Sequence, residues 1–281
     1  MNSSPFAAVR KQKRQNQKVC MTMKDYFFGR EYEISSAGGE TGQAFMVSNE
    51  DEKFFLKRNS SPFLAALSVE NIVPKLMWTR RVENGDVLTA QKWINCYILS
   101  EADMQEARVA KLLAKIHHSE PLKNMLARID QRFYNASSIL DQIKEKSDFY
   151  SEQPLFNRSL AYLEENIGAV EDDKLVVCHG DVNHKNWIVS EEDDLYLVDW
   201  DEAKLADPAI DIGVLLYQYI PREKWDEWLH VYGTNYSKQL HLKLKWYTTA
   251  GLLHRLMQVA SSDTLHEAKK LLQKVMEDNE V

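Results

Sequence analysis

The stretch His179-Gly-Asp-Val-Asn-His-Lys-Asn186 places a carboxylate, Asp181, in a glycine-containing turn and an amide, Asn186, five residues later; a second carboxylate, Asp199, follows after thirteen more. Phosphoryl transfer asks a protein for little covalent chemistry. It asks for hard oxygen ligands that hold Mg2+ and for a base aimed at the attacking hydroxyl. This set can supply both: Asp181 as the base, Asn186 and Asp199 as the metal ligands. Taken singly, each side chain is as well explained as a turn or loop cap. Taken together, three oxygen-bearing side chains, each beside a short apolar strand, point to chemistry. His179 and His184 flank Asp181 inside the turn, within reach of substrate or phosphate, and Asp201 stands two residues past Asp199. Asp211, in Ala206-Asp-Pro-Ala-Ile-Asp-Ile-Gly213, has two readings that can both hold. It is a buried carboxylate accepting hydrogen bonds from the catalytic turn, or an N-cap for the apolar run that follows.

The elements that must position these residues are legible around them. Leu175 to Cys178 reads as a short buried strand. Residues 186–190 and 195–199 read as two more, closed into a hairpin by the acidic loop Glu191-Glu-Asp-Asp194. In that register Ser190 faces Leu195 and Asn186 faces Asp199, with Cβ atoms roughly 4.5–5.5 Å apart. Two oxygens so placed can clamp one Mg2+ at about 2.1 Å each, and a slip of one residue would part them. The interval from Asp181 to Asn186 is also the one that a protein-kinase catalytic loop places between its hydroxyl-accepting Asp and its Mg2+-binding Asn.

A nucleotide needs a phosphate cradle, and the absence of G-x-x-x-x-G-K-[ST] excludes a P-loop. Gly38, Gly39 and Gly42 lie in a glycine-rich turn whose flanking strand ends at Val47, ahead of a second strand, Phe54 to Lys57. A phosphate-covering loop would sit there, although an ordinary hairpin turn has the same composition. Lys57 ends its strand where it can meet α- and β-phosphates. Glu70 is its natural ion-pair partner, in a helical patch from Val69 to Trp78 cut by Pro74. Val87 to Ile94 reads as a strand, and Gln91 and Trp93 near its end lie where an adenine would be read. Ser100 with Asp103 then opens a helix in capping-box fashion, with Val109, Leu112, Leu113 and Ile116 on one face. His117 and His118 end that helix, where its dipole accounts for them. Trp225, Trp228, Leu229 and Tyr232 form an amphipathic stripe that predicts core packing rather than a substrate cage. The fold class is therefore α+β. Its parts are a basic, disordered tail over 1–23, a strand-rich domain over 24–97 that binds nucleotide phosphates, and a helical domain over 98–281 that carries the catalytic turn, the metal and the acceptor site.

Composition narrows the setting. Residues 1–23 hold five basic side chains and no acid, so the rest of the 281-residue chain carries −12 against a total of −7. A body that acidic is a poor binder of nucleic-acid backbones. The tail could bind nucleic acid or an anionic membrane, or be an upstream extension. The longest apolar run, Ile210 to Ile220, is interrupted by Asp211, Gly213 and Gln218 and is too short to span a bilayer. Cys20, Cys96 and Cys178 have no zinc spacing, and the N-terminus lacks a secretory-type apolar run, so reduced thiols in a cytoplasm are expected.

On these residues the chain resembles the aminoglycoside phosphotransferase and choline kinase superfamily. His179-Gly-Asp181, Asn186 and Val198-Asp199-Trp200 match that family's catalytic block. The resemblance implies a protein-kinase-like fold of two lobes, a small β-rich N-lobe and a larger helical C-lobe, with ATP in the cleft. It implies Asp181 as catalytic base, Asn186 and Asp199 as Mg2+ ligands, and Lys57 with Glu70 at the nucleotide phosphates. Lys57-Arg-Asn-Ser-Ser-Pro62, Pro74-Lys-Leu-Met-Trp-Thr-Arg-Arg81 and Ala90-Gln-Lys-Trp93 look like the bacterial cell-cycle regulator kinases of this superfamily. That likeness implies phosphorylation of a ribosyl or 2-deoxyribosyl 5-hydroxyl, on free sugar or nucleoside. It also implies a role in division and replication initiation, with a division protein as possible partner. Two rival expectations stand beside it: a non-catalytic kinase-like regulator that binds a division protein, and a kinase whose acceptor is choline or an aminoglycoside, which would suit an acidic body.

Overall fold

The computed structural model describes residues 32–37, 44–130, 133–172, 174–258 and 262–279. They form two compact units, one ending at Cys96 and the other beginning at Tyr97. The glycine turn with Gly38, Gly39 and Gly42 and the basic tail lie outside the described residues.

The first unit is an antiparallel sheet of β1 (Glu33–Ser36), β2 (Ala44–Ser48), β3 (Lys53–Arg58), β4 (Leu76–Arg81) and β5 (Val87–Lys92), in the order β1-β2-β3-β5-β4. Alternate residues of a strand share a face. Phe45, Val47, Phe54, Leu56, Leu88 and Ala90 accordingly close one core, with Trp78 edge-on to Phe54 at 5.8 Å. Lys57, between Ala44 and Thr89 in the ladder, falls on the other face of β3. The helix expected over Val69 to Trp78 is displaced. Helix α1 runs Phe63–Val69, Glu70 is its C-cap, and β4 begins at Leu76. Pro74 has no N–H to continue a helix, and the residues after it pair with β5, Leu76 opposite Gln91.

The second unit takes in all but the first residue of β6 (Cys96–Ile98), then α2 (Ala107–His117), α3 (Glu120–Ile129), β7 (Phe133–Tyr134), α4 (Ala136–Lys144), α5 (Pro154–Val170) and β8 (Val176–Cys178). It continues through β9 (Trp187–Ser190), β10 (Leu195–Leu197), β11 (Lys204–Ala206), α6 (Ala209–Tyr219), α7 (Trp225–Tyr232), α8 (Lys238–Gln258) and α9 (Ser262–Glu277). Two small sheets, β10-β9-β6 and β7-β11-β8, are set among the helices. Ser100 and Asp103 do bond reciprocally, Ser100 N–H to Oδ2 at 2.8 Å and Asp103 N–H to Oγ at 3.3 Å. They lead into a short 3-10 turn whose N-cap is Ala102, however, and α2 starts only at Ala107. Trp225, Trp228, Leu229 and Tyr232 are all buried, as the stripe predicted. Among the described residues no helix is long and apolar enough to cross a membrane; the apolar run from Ile210 is α6, a core helix.

Close packing of α6 on α8 depends on Gly213. A Cβ there would collide with Thr248 Oγ1 and lie 2.9 Å from the Leu244 carbonyl oxygen. Alanine is the better helix former by roughly 1 kcal/mol, but overpacking of this kind costs about 1–3 kcal/mol. Gly213→Ala is therefore expected to lower the melting temperature, measured by circular dichroism. An unchanged or raised midpoint would show that the two helices separate freely.

Candidate active site

The turn expected to be catalytic, from His179 to Asn186, is held from below by one carboxylate. Asp211, in the first turn of α6, is completely buried. Its Oδ2 accepts the His179 N–H at 2.7 Å and its Oδ1 the Gly180 N–H at 2.9 Å. His117 Nε2 lies 3.1 Å from Oδ2, and because a carboxylate only accepts, that nitrogen carries the proton. The other ring nitrogen meets the Tyr232 hydroxyl at 2.8 Å. Burial opposes charge on Asp211, but the hydrogen bond and charge of His117, with His179 and the Gly180 amide, hold its carboxyl below the ordinary value. The N-cap reading of Asp211 is not what the structure shows: Asp207 Oδ1 accepts the Ala209 N–H at 2.8 Å instead. His117 does end its helix, as expected, but it is buried. It shares the buried face of α2 with Val109, Leu113 and Ile116. The signal was present in the sequence, since positions 113, 116 and 117 continue the apolar stripe.

Above Asp211 the turn is tight. Gly180 has φ +83°, and a Cβ there would lie 2.8 Å from the Glu202 carbonyl oxygen and 2.9 Å from Lys204 Cε. The His179 ring is buried edge-on to Trp200 at 4.7 Å between centroids. Its Nε2 donates to the Val198 carbonyl at 2.9 Å, which leaves Nδ1 to accept the Asp181 N–H at 3.2 Å. That pattern requires a neutral ring, and burial pushes the His179 pKa down accordingly. Asp181 is clamped on both oxygens. Asn183 Nδ2 donates to Oδ1 at 2.8 Å, and Asn186 Nδ2 donates to Oδ2 at 3.2 Å and to the Asp181 carbonyl at 2.8 Å. His184 is tied to α6: its N–H donates to the Tyr219 hydroxyl at 3.0 Å, and its Nδ1 is 3.3 Å from the same oxygen. Burial pushes the Tyr219 pKa up to about 12, so that hydroxyl keeps its proton.

The hairpin register differs from the expected one by a single residue. Leu195 pairs with Val189 and Leu197 with Trp187, and the Val198 N–H donates to the Asn186 carbonyl at 2.9 Å. Asn186 is thus opposite Val198, not Asp199. The cause is the turn. Asp193 takes φ 67°, its N–H bonds to Ser190 O at 3.0 Å, and Ser190 N–H bonds to Asp194 O at 3.0 Å. The loop therefore has three residues, with Asp193 in the left-handed position that such loops use, and Asp194 joins the ladder. Asp199 itself has φ 66° and ψ 63°. A left-handed aspartate leaves the two-faced alternation of a strand, so the hairpin does not dictate where its exposed side chain points. It also carries backbone strain of order 1 kcal/mol, which in folded proteins tends to persist at functional positions. Asp201 is exposed in the 3-10 turn that follows.

The donor set fits Mg2+. The Asn186 side-chain nitrogen is engaged by Asp181, so its oxygen is the free end of the amide, and Asp199 adds an exposed carboxylate; amide and carboxylate oxygens are the ligands this ion prefers. The residues expected at the nucleotide lie in the first unit. Lys57 and Glu70 are partly buried. The Gln91 side chain is buried and donates to the Pro74 carbonyl at 2.8 Å, which leaves only its backbone to read a base. Trp93 donates to Asn95 Oδ1 at 3.3 Å and is covered by Lys53, whose Nζ lies 4.1 Å from the ring centroid.

Residues 36–247 match the phosphotransferase enzyme family. Protein LicA of Haemophilus influenzae is 24% identical over 246 residues, covering 79% of this chain and 69% of that protein. An aminoglycoside 3'-phosphotransferase of Acinetobacter baumannii is 26% identical over 210 residues, 64% of this chain and 78% of that one. The crystal structure of choline kinase LicA from Streptococcus pneumoniae superposes with a TM-score of 0.66 at 14% identity, over 94% of this chain and 99% of that one. At that identity the likeness speaks for the fold, which is protein-kinase-like, with an antiparallel-sheet unit followed by a helical one. The buried cradle under a glycine turn, the clamped aspartate and the match over most of the chain agree: this protein belongs to the phosphotransferase enzyme family and is an enzyme that moves a phosphoryl group to a hydroxyl of a small molecule.

Proposed function

We propose that the chain is an ATP- and Mg2+-dependent kinase in which Asp181 orients the acceptor hydroxyl and takes its proton as it attacks. The observation that carries this reading is the double clamp on Asp181. Two amides fix the carboxylate in one orientation, while each oxygen keeps a lone pair for an incoming hydroxyl. Fixing a catalytic group this way reduces what must be ordered during reaction. Asp211 keeps the turn's amides aligned from beneath, and neutral His179 holds the Asp181 N–H. Bound Mg2+, held by Asn186 and Asp199, would supply charge neutralisation at the phosphates. Lys57 would contact the nucleotide phosphates with Glu70 as its partner, and the Gln91 to Trp93 backbone would read the base. A family of enzymes leaves no support for a purely non-catalytic role.

Support for the acceptor is divided. Matched relatives carry names that specify choline or aminoglycosides, and they favour an amino-bearing acceptor. The ribosyl, 2-deoxyribosyl or nucleoside acceptor rests on the three sequence blocks at 57–62, 74–81 and 90–93. So do a cell-cycle role and a division-protein partner. A cytoplasmic setting is supported by the free thiols of Cys96 and Cys178. Coupled ADP release measured with ribose, deoxyribose, nucleosides, choline and kanamycin tests the reading. We expect at least one acceptor to raise turnover about tenfold or more over the acceptor-free rate. Rates that stay at that background with all of them would sink the kinase proposal.

A further inference from the structure

We infer that Lys204 sets the acceptor class: its ammonium group, lodged beside the Gly180–Asp181 peptide, selects a neutral or anionic polyol over an ammonium-bearing acceptor. This rests on the reading of Asp181 as the acceptor base.

The placement follows from strand register. β11 runs antiparallel to β8 with Lys204 opposite Cys178, the residue before the catalytic turn. Opposed residues share a face, and here that face also holds Val176, Ala206 and Tyr134. From this position the lysine side chain passes over Gly180. A Cβ on that glycine would meet Lys204 Cε at 2.9 Å and Nζ at 3.2 Å. Adjacent Cα atoms are 3.8 Å apart, so Nζ stands no more than about 8.5 Å from the Asp181 Cα. Nζ lies 5.2 Å from the Tyr134 ring centroid and 3.6 Å from Glu202 Oε2. Glu202 is far more exposed than Lys204, with side-chain exposures of 64% and 19%, so water weakens that carboxylate's hold on the ammonium.

Charges of both signs surround that position. His254, near the end of α8, has its pKa lowered first by burial and then by Lys204 and Lys146, against Glu202. Both lysines therefore act at that end of α8. Arg255, the next residue, acts on the Tyr219 hydroxyl that secures His184, where Glu101 and Asp181 oppose it. Lys204 is the member of this set whose approach to the catalytic turn is fixed by distance, through its contact over Gly180.

A second, independent observation concerns aromatic rings. A quaternary ammonium is recognised by the open faces of Trp and Tyr. Trp225, Trp228, Tyr232 and Trp246 are closed into the core and unavailable for such a cage, and the Tyr134 ring already has the Lys204 ammonium 5.2 Å from its centroid.

The test compares kcat/KM for ribose, a nucleoside, choline and kanamycin in the parent, Lys204→Met and Lys204→Glu, at low and high salt. The parent is expected to prefer the uncharged acceptors. Lys204→Glu should shift the ratio toward choline and kanamycin at least about tenfold, Lys204→Met by less, and both shifts should shrink with salt. A merely structural role would change all acceptors together. Should Lys204→Glu fail to fold, Lys204→Met, which keeps the apolar stem, decides alone. Ratios within about twofold of the parent, or a parent that prefers cationic acceptors, overturn the inference while the kinase reading stands. A parent no faster than Asp181→Ala with every acceptor overturns both.

Discussion

Asp181→Ala is expected to unfold at the temperature of the parent and to transfer phosphate about 10²–10⁴ times more slowly, a barrier increase of roughly 3–5 kcal/mol. The fold should tolerate the change because Asn186 keeps its bond to the residue-181 carbonyl, which alanine retains. The amide of Asn183 loses a partner, but it is only partly buried and water replaces it. The loss should fall on kcat more than on KM, since the carboxylate acts on a proton that moves only in the transition state. The check is coupled ADP release with the best acceptor, beside a thermal melt. A variant that keeps more than about half the parental rate removes Asp181 from the role of base.

Asp211→Ala should be damaging in a different way. It strips the acceptor from the His179 and Gly180 amides and from His117 Nε2, all in the interior. Removing one member of a buried charged network costs about 3–5 kcal/mol, because its partners are left without compensation. Urea unfolding is the measurement, and a loss under about 1 kcal/mol would mean the turn finds other support. The pH dependence has a definite sign. The Asp211 carboxyl is held below its ordinary value in the folded state, so its contribution is present above the unfolded carboxylate pKa of about 4. It is lost as pH falls through the lower folded value. The gap between parent and variant should therefore be widest near neutrality and narrow in acid.

These two residues also mark how far the sequence could be read. The spacing of Asp181, Asn186 and Asp199 pointed to phosphoryl transfer before any coordinates, because that chemistry depends on oxygen type and interval. The strand-rich first unit and helical remainder were legible from alternation and stripe. The hairpin register was not. Four consecutive acids, Glu191 to Asp194, look alike in sequence, and only a left-handed Asp193 decides that Asp194 belongs to the strand. The helix near Glu70 was misplaced for a related reason. A proline marks a break without telling which side of it is helical, and α1 lies entirely before Glu70. His117 was discounted because a histidine at a helix end has an adequate local explanation. Its partners are brought to it by α6 and α7, nearly a hundred residues away or more, and pairings of that range leave no trace in local pattern.

Helix α6 touches the catalytic turn twice. Asp211 near its start grips His179 and Gly180, and Tyr219 at its end grips His184. Eight residues of helix rise about 12 Å and are stiff over that distance. The helix therefore works as a gauge block: the turn from His179 to His184 is held between two fixed jaws, and its curvature is set by the rod that joins them. Adding one residue between the jaws would swing the tyrosine by about 100° around the axis and release one of them. The placement of the carboxylate proposed as the base is thus stored in the length of a buried helix, which would let the surrounding surface vary to suit an acceptor while the turn keeps its shape.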